Sequence, residues 1–173
     1  KDAKISVFVP NDGVAMRPSH YAVEKYVEDF ALAPKGERAL FVARGDVFTV
    51  PIEKGPTRNL TNSSNAHDKW ARWSPDGAKI AFISDRSGEE QLYLIDQDGF
   101  GKAEQLTSDL KAMLYTPEWS PDGKRLAFSD KNGDLYVLSI ADKKLVRVAQ
   151  ETRGTVEDYA WSPGGAFLAF SLA

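Results

Sequence analysis

Histidine, serine and carboxylate side chains carry what reactive chemistry this chain of 173 residues has to offer, because it contains no cysteine. Disulfides, thiolate nucleophiles and cysteine-ligated zinc are therefore excluded. The two histidines are His20 and His67. A zinc site needs about three or four ligands at matched spacing. His67-Asp68 stands without such a cluster, so a loop or structural role is expected and no metal is assigned. Asp130-Lys131-Asn132-Gly133-Asp134 has the start of a calcium loop, but that loop wants glycine at about position 6 and glutamate at about position 12. Counted from Asp130, glycine falls at position 4 and Ala141 at position 12, so the stretch reads as a hairpin turn. Serine catalysis needs one hydroxyl on a constrained turn beside a base. Ser74, Ser120 and Ser162 instead recur in equivalent places, which marks them as structural, their hydroxyls bonding the adjacent turn. Glu89-Glu90 and Glu157-Asp158 lie in polar turns, where a solvated face is the default. Gly99-Phe100-Gly101 is too short a fragment for a phosphate-binding loop. No complete catalytic constellation and no cofactor site emerge.

The elements that would position any site come from a repeat. Trp73-Ser74-Pro75-Asp76-Gly77 returns as Trp119-Ser120-Pro121-Asp122-Gly123, as Trp161-Ser162-Pro163-Gly164-Gly165, and in weakened form as Leu32-Ala33-Pro34-Lys35-Gly36. The prolines at 34, 75, 121 and 163 give periods of 41, 46 and 42 residues, in the range of repeat architectures. Phe41, Phe82, Phe128 and Phe170 each follow their proline by 7 residues, inside short apolar runs. Turn glycines follow at Gly45, Gly88 and Gly133, then β-rich runs such as Leu92-Tyr93-Leu94-Ile95. An apolar residue precedes each tryptophan by 13: Leu60, Leu106 and Val148. Pro-Asp-Gly and Asn132-Gly133 are turn chemistry. Each unit reads as four short strands, the blade of a β-propeller, with the aromatic residues filling the gaps between blades.

The predicted fold is all-β: a partial propeller of four-stranded antiparallel blades, about three and a half of them. Residues 1–29 fall outside the repeat, as an N-terminal strand (Ile5 to Val9) and a connection, with extended structure from about Tyr26. Blade 1 spans 30–70, blade 2 spans 71–116, blade 3 spans 117–158, and 159–173 begin a fourth. The repeat anchors are Trp73, Pro75, Gly77, Trp119, Pro121, Gly123, Trp161, Pro163, Phe41, Phe82, Phe128 and Phe170. A propeller closes with roughly 4 to 8 blades, so the pattern predicts a piece of a larger ring. Cut blade faces and strand edges invite association, and two such halves are expected to pair into a ring of about seven blades.

Hydrophobic content of 42% and charged content of 27% are those of a globular chain. A net charge of −3 and scattered basic residues give no nucleic-acid pattern. Nothing approaches the roughly 18 apolar residues of a membrane span, and no signal peptide opens the chain.

The units Trp-Ser-Pro-Asp-Gly, Ile-Ala-Phe-Ile-Ser-Asp-Arg-Ser-Gly and Leu-Tyr-Leu-Ile-Asp resemble the TolB-type propeller repeat, which fixes a fold better than a function. A narrower resemblance lies in Ala43-Arg44-Gly45-Asp46-Val47-Phe48-Thr49-Val50-Pro51, continuing through Gly55-Pro56-Thr57-Arg58-Asn59-Leu60-Thr61, with Tyr26 to Phe30 and Asp158 to Ser162. It is similar to the start of the second propeller of a tricorn-like serine peptidase. That resemblance implies a non-catalytic segment that gates or channels peptides toward a Ser/His site in the parent protein's catalytic domains. No catalytic residue is carried over to this chain. Peptides and those catalytic domains are the implied partners. The resemblance implies a cytoplasmic home, and an exported, periplasmic relative fits the missing cysteine equally well. Two alternatives stay open: a TolB-like protein-interaction propeller, and the gating propeller of a prolyl-oligopeptidase relative. The strands beginning near Arg72, Glu118 and Ala160 are expected to be innermost.

Overall fold

The computed structural model describes residues 22–172; the expected N-terminal strand at Ile5 to Val9, and His20, lie outside them. A 3-10 turn, Glu24–Tyr26, leads into three successive four-stranded antiparallel sheets and a two-stranded one. The first sheet is β1 (Val27–Leu32), β2 (Arg38–Ala43), β3 (Asp46–Pro51) and β4 (Arg58–Asn59). The second is β5 (Asp68–Trp73), β6 (Lys79–Ser84), β7 (Gln91–Asp96) and β8 (Glu104–Gln105). The third is β9 (Glu118–Trp119), β10 (Arg125–Ser129), β11 (Asp134–Ser139) and β12 (Leu145–Gln150). The last is β13 (Tyr159–Trp161) with β14 (Leu168–Phe170). In every four-stranded sheet spatial order follows chain order, as in propeller blades, and the sheets do not close into a ring. β1 and β5 start at Val27 and Asp68, ahead of the boundaries read from the sequence at 30 and 71.

The repeated aromatics set the register. Phe41 faces Phe48, Phe82 faces Tyr93 and Phe128 faces Tyr136 across the second and third strands. Directly opposed aromatic and β-branched residues are the unit of sheet stabilisation. Phe82 and Tyr93 stack at 5.8 Å, and Phe128 and Tyr136 at 5.4 Å. Side chains alternate between the two faces of a strand, so each sheet contributes to two cores. Leu40, Val42, Val47 and Leu60 of the first sheet meet Ala71, Trp73, Ile80, Phe82, Tyr93 and Ile95 of the second. The opposite face of the second sheet, with Ile83, Leu92, Leu94 and Leu106, meets Leu114, Leu126, Phe128 and Leu138.

The Ser-Pro-Asp-Gly turns are built alike. The Ser74 hydroxyl donates to Asp76 Oδ1 at 2.6 Å and accepts the Lys79 N–H at 2.9 Å. Ser120 repeats this with Asp122 at 2.5 Å and Arg125 N–H at 2.9 Å. These hydroxyls, and then a backbone N–H each, hold the Asp76 and Asp122 carboxyls below the usual range. The glycines close the turns at positive φ, and a Cβ on Gly77, Gly123 or Gly165 would sit 3.5, 3.7 or 3.5 Å from the proline of the preceding unit. Successive turns thus nest on one another.

Two anchors, Phe41 and Phe170, and the spacing mark Val148 depart from the repeat. Phe82 and Phe128 are fully buried, but Phe41 is only half-buried, because it points away from the second sheet and no other described sheet covers that side. Phe170 is 41% exposed, since its sheet has two strands instead of four. Val148 was expected to match buried Leu60 and Leu106, yet it is 45% exposed. The ladder skips it as a bulge, pairing Leu135 with Ala149 and Tyr136 with Arg147, but Leu145 and Val146 are exposed as well, so the exposure belongs to the outer strand as a whole.

Candidate functional site

The first strands of successive sheets, β1, β5, β9 and β13, lie against one another. They form the innermost line, where Arg72, Glu118 and Ala160 were expected. Arg72 Nη1 reaches Asp29 Oδ2 of β1 at 2.5 Å and also donates to the Ala71 carbonyl at 2.8 Å. Asp29 reaches this place through a β-bulge between Val27 and Asp29; a second bulge in β5, with Trp70 at φ 52°, sets Arg72 beside it. A left-handed conformation in so bulky a residue is costly, and such strain gathers where geometry is over-determined. Burial pushes the Glu118 carboxyl above its ordinary range, with the Arg72 guanidinium opposing the shift. The Tyr159 hydroxyl donates to the Thr116 carbonyl, and burial raises its pKa first, with Glu118 adding to the rise. Asp29, Arg72, Glu118 and Tyr159 therefore form one charged and polar line across four inner strands. Ala160 is exposed and adds no functional group. Sequence reasoning missed Asp29 and Tyr159; the signal available was their place beside the inner-strand positions.

Tryptophan ties the sheets together at this line. Trp119 Nε1 donates to the Arg72 carbonyl and Trp161 Nε1 to the Glu118 carbonyl, both at 3.1 Å. Trp73 occupies the same place one unit earlier, but its Nε1 is shielded and unpartnered among the described residues. A buried donor left unpaired costs about 1–3 kcal/mol.

Beside Trp73, between the first two sheets, opens a cleft of about 450 Å³. Lys35, Arg38, Lys54 and Arg58 line it, with Glu37 and Asp76 as the carboxylates. Arg38 Nη2 is fixed to the Thr49 carbonyl, the Thr49 hydroxyl and the Pro56 carbonyl at 2.9, 3.1 and 3.0 Å. Arg38 Nε is shielded and unpartnered among the described residues. Burial, then the neighbouring Arg58 guanidinium, lowers the Arg38 pKa. Nothing in the sequence singled this cleft out, because its cations come from separate turns and strands.

The residues weighed as chemistry have other partners. Asp68 is fully buried and takes Arg86 on both carboxylate oxygens at 2.9 and 3.1 Å, with the Ser63 hydroxyl donating at 3.1 Å. Arg86 lies over the Phe82 and Tyr93 rings at 5.2 and 5.0 Å. His67 stands 3.8 Å from Glu28. Asp130 Oδ1 accepts the N–H groups of Asn132 and Asp134 at 2.9 and 3.0 Å, which is a turn cap. Among the described residues no group of three or more His, Asp or Glu is placed to hold a metal ion, and no helix is long and apolar enough to cross a membrane.

Comparison with known proteins agrees with this architecture. "Tricorn protease homolog 1" of Streptomyces coelicolor is 34% identical over 74 residues, covering 43% of this chain and 7% of its own. The crystal structure of the tricorn protease superposes with a TM-score of 0.76 at 20% identity, over 87% of this chain and 14% of that one. TolB from Acinetobacter baumannii superposes with a TM-score of 0.68 at 24% identity, over 82% of this chain and 37% of that one. The chain thus spans a small part of its relatives' length. The profile of the tricorn protease second beta propeller domain matches residues 27–173, and the chain belongs to that family.

Proposed function

We propose that this chain is a non-catalytic wall of a tricorn-like serine peptidase, gating or channelling peptides toward a catalytic region in the rest of the protein. The observation that carries this reading is the inner line of Asp29, Arg72, Glu118 and Tyr159. Peptide backbones and termini are dipolar, and alternating charge held on rigid strands guides them without trapping them. Family membership supports the reading. The Arg72–Asp29 pair is fixed by its bulges, which favours a preformed surface over an adaptable one.

The test is a titration of a fluorescent oligopeptide against the chain and its Arg72→Ala and Glu118→Ala forms. Weakening of about tenfold, or 1.4 kcal/mol, is expected for each. Unchanged affinity in both, with the fold intact by circular dichroism, sinks the channel reading.

A further inference from the structure

We propose that the basic cleft between the first and second sheets is a carboxylate site, one that takes the C-terminal carboxylate of a peptide. The inference rests on the peptide-handling reading for its ligand, and on the cleft alone for its chemistry.

Four cations face two carboxylates here. Among the described residues none of Lys35, Arg38, Lys54 and Arg58 forms an ion pair, whereas Lys69, Arg72, Lys79, Arg86 and Arg147 all do. Arg38 and Trp73 line the same wall, and each carries a shielded nitrogen, Arg38 Nε and Trp73 Nε1, with no acceptor among the described residues. Arg38 is held rigid by its three carbonyl and hydroxyl acceptors, so it meets a ligand without losing further freedom.

The repeat supplies its own control. The matching cleft between the second and third sheets is lined by Asp76, Lys79, Trp119 and Asp122. There Lys79 is paired with Asp96 at 2.8 Å and the Trp119 N–H is taken up by the Arg72 carbonyl. The unused donors are therefore a property of the first cleft and not of the fold. Guanidinium groups bind carboxylate and phosphate through paired, charge-assisted hydrogen bonds.

The experiment follows the indole N–H resonances of the 15N-labelled chain during titration with an N-acetylated tetrapeptide. Three additions are compared: the peptide with a free C-terminal carboxylate, its C-terminal amide, and inorganic phosphate. A Trp73→Phe form assigns the Trp73 signal. The free acid is expected to shift that signal and to bind at least about tenfold more tightly than the amide. Arg58→Gln and Lys54→Gln touch no side-chain hydrogen bond among the described residues, and each is expected to weaken the free acid about tenfold with an unchanged melting temperature. Equal binding of acid and amide, full affinity in both variants, or saturation by phosphate in preference to the peptide overturns the assignment. The Arg58→Gln and Lys54→Gln forms leave the inner line of Asp29, Arg72, Glu118 and Tyr159 intact. Failure here therefore strikes the cleft alone, while failure of the inner-strand titration strikes the channel.

Discussion

Trp119 and Trp73 hold the same place in successive units, yet only Trp119 has an acceptor for its indole N–H. Trp119→Phe removes this hydrogen bond to the Arg72 carbonyl, so a loss of about 1–2 kcal/mol is expected in urea denaturation. Trp73→Phe keeps most of the ring and removes a donor that had no partner, so it is expected to cost clearly less. Equal losses at the two positions would show that ring volume, not hydrogen bonding, sets the energetics. Glu118 makes a second residue-scale prediction. Its pKa is raised in the fold, mainly by burial. A raised carboxyl adds stability below its unfolded pKa and loses it as pH rises through the folded value. At pH 7 the charged form opposes folding, so Glu118→Gln is expected to raise the melting temperature there. The gain is expected to vanish below about pH 4, where both states of the wild-type carboxyl are protonated; a gain that persists at that pH would refute the electrostatic origin.

At the scale of the element, turn chemistry and sheet pairing lock together. The β10–β11 hairpin turns on Gly133 at φ 82°, and a Cβ there would lie 2.1 Å from the Glu151 carbonyl oxygen and 2.7 Å from that of Gly154. Both contacts are backbone, so no side chain can yield. Gly88 opens the equivalent hairpin of the second sheet at φ 103°, with nothing within 4 Å of a Cβ. Gly88→Ala is expected to pay only the left-handed penalty, about 1–2 kcal/mol. Gly133→Ala adds displacement of the 151–154 segment and is expected to cost several kcal/mol. Thermal denaturation of the two variants checks this, and similar melting temperatures would mean that the segment moves freely. The difference arises because the third sheet has a full outer strand, β12, whose end folds back over the hairpin, as the Glu151 N–H to Gly133 carbonyl bond shows.

At the scale of the molecule, the decisive feature is the outer face of the first sheet, which no other sheet covers among the described residues. Phe30 is 71% and Leu32 is 66% exposed. With Ala39, Phe41, Phe48 and Val50 they occupy the places that Ala71, Trp73, Ile80, Phe82, Tyr93 and Ile95 fill in the second sheet, where those residues are packed against the first. The face is shaped for a neighbouring sheet. We expect the chain by itself to associate through it, two copies covering one another's open ends. Light scattering over a concentration series is expected to show mass rising toward a dimer, and Phe30→Ser with Leu32→Ser is expected to reverse it. A monomer at all concentrations would count against association.

Local rules determined the blade. Period, turn residues and the apolar alternation of Leu92 to Ile95 all reflect interactions within a few residues of sequence, so the four-strand units and their hairpins were legible from the chain alone. The burial of Phe82 and Phe128 was legible too, because it depends on a repeat that the sequence displays in full. Tertiary structure decided what depends on neighbours. Phe41 shares the motif of Phe82, but burial requires a sheet on the other side, and Phe170 shares it in a sheet of only two strands. Val148 shares the spacing of Leu106, but it stands in an outer strand that is exposed along most of its length. The pairing of Asp29 with Arg72 brings together residues 43 positions apart, and the cations of the basic cleft converge from separate turns and strands. Such convergence has no local pattern in sequence, since it is set by how one blade lies on the next.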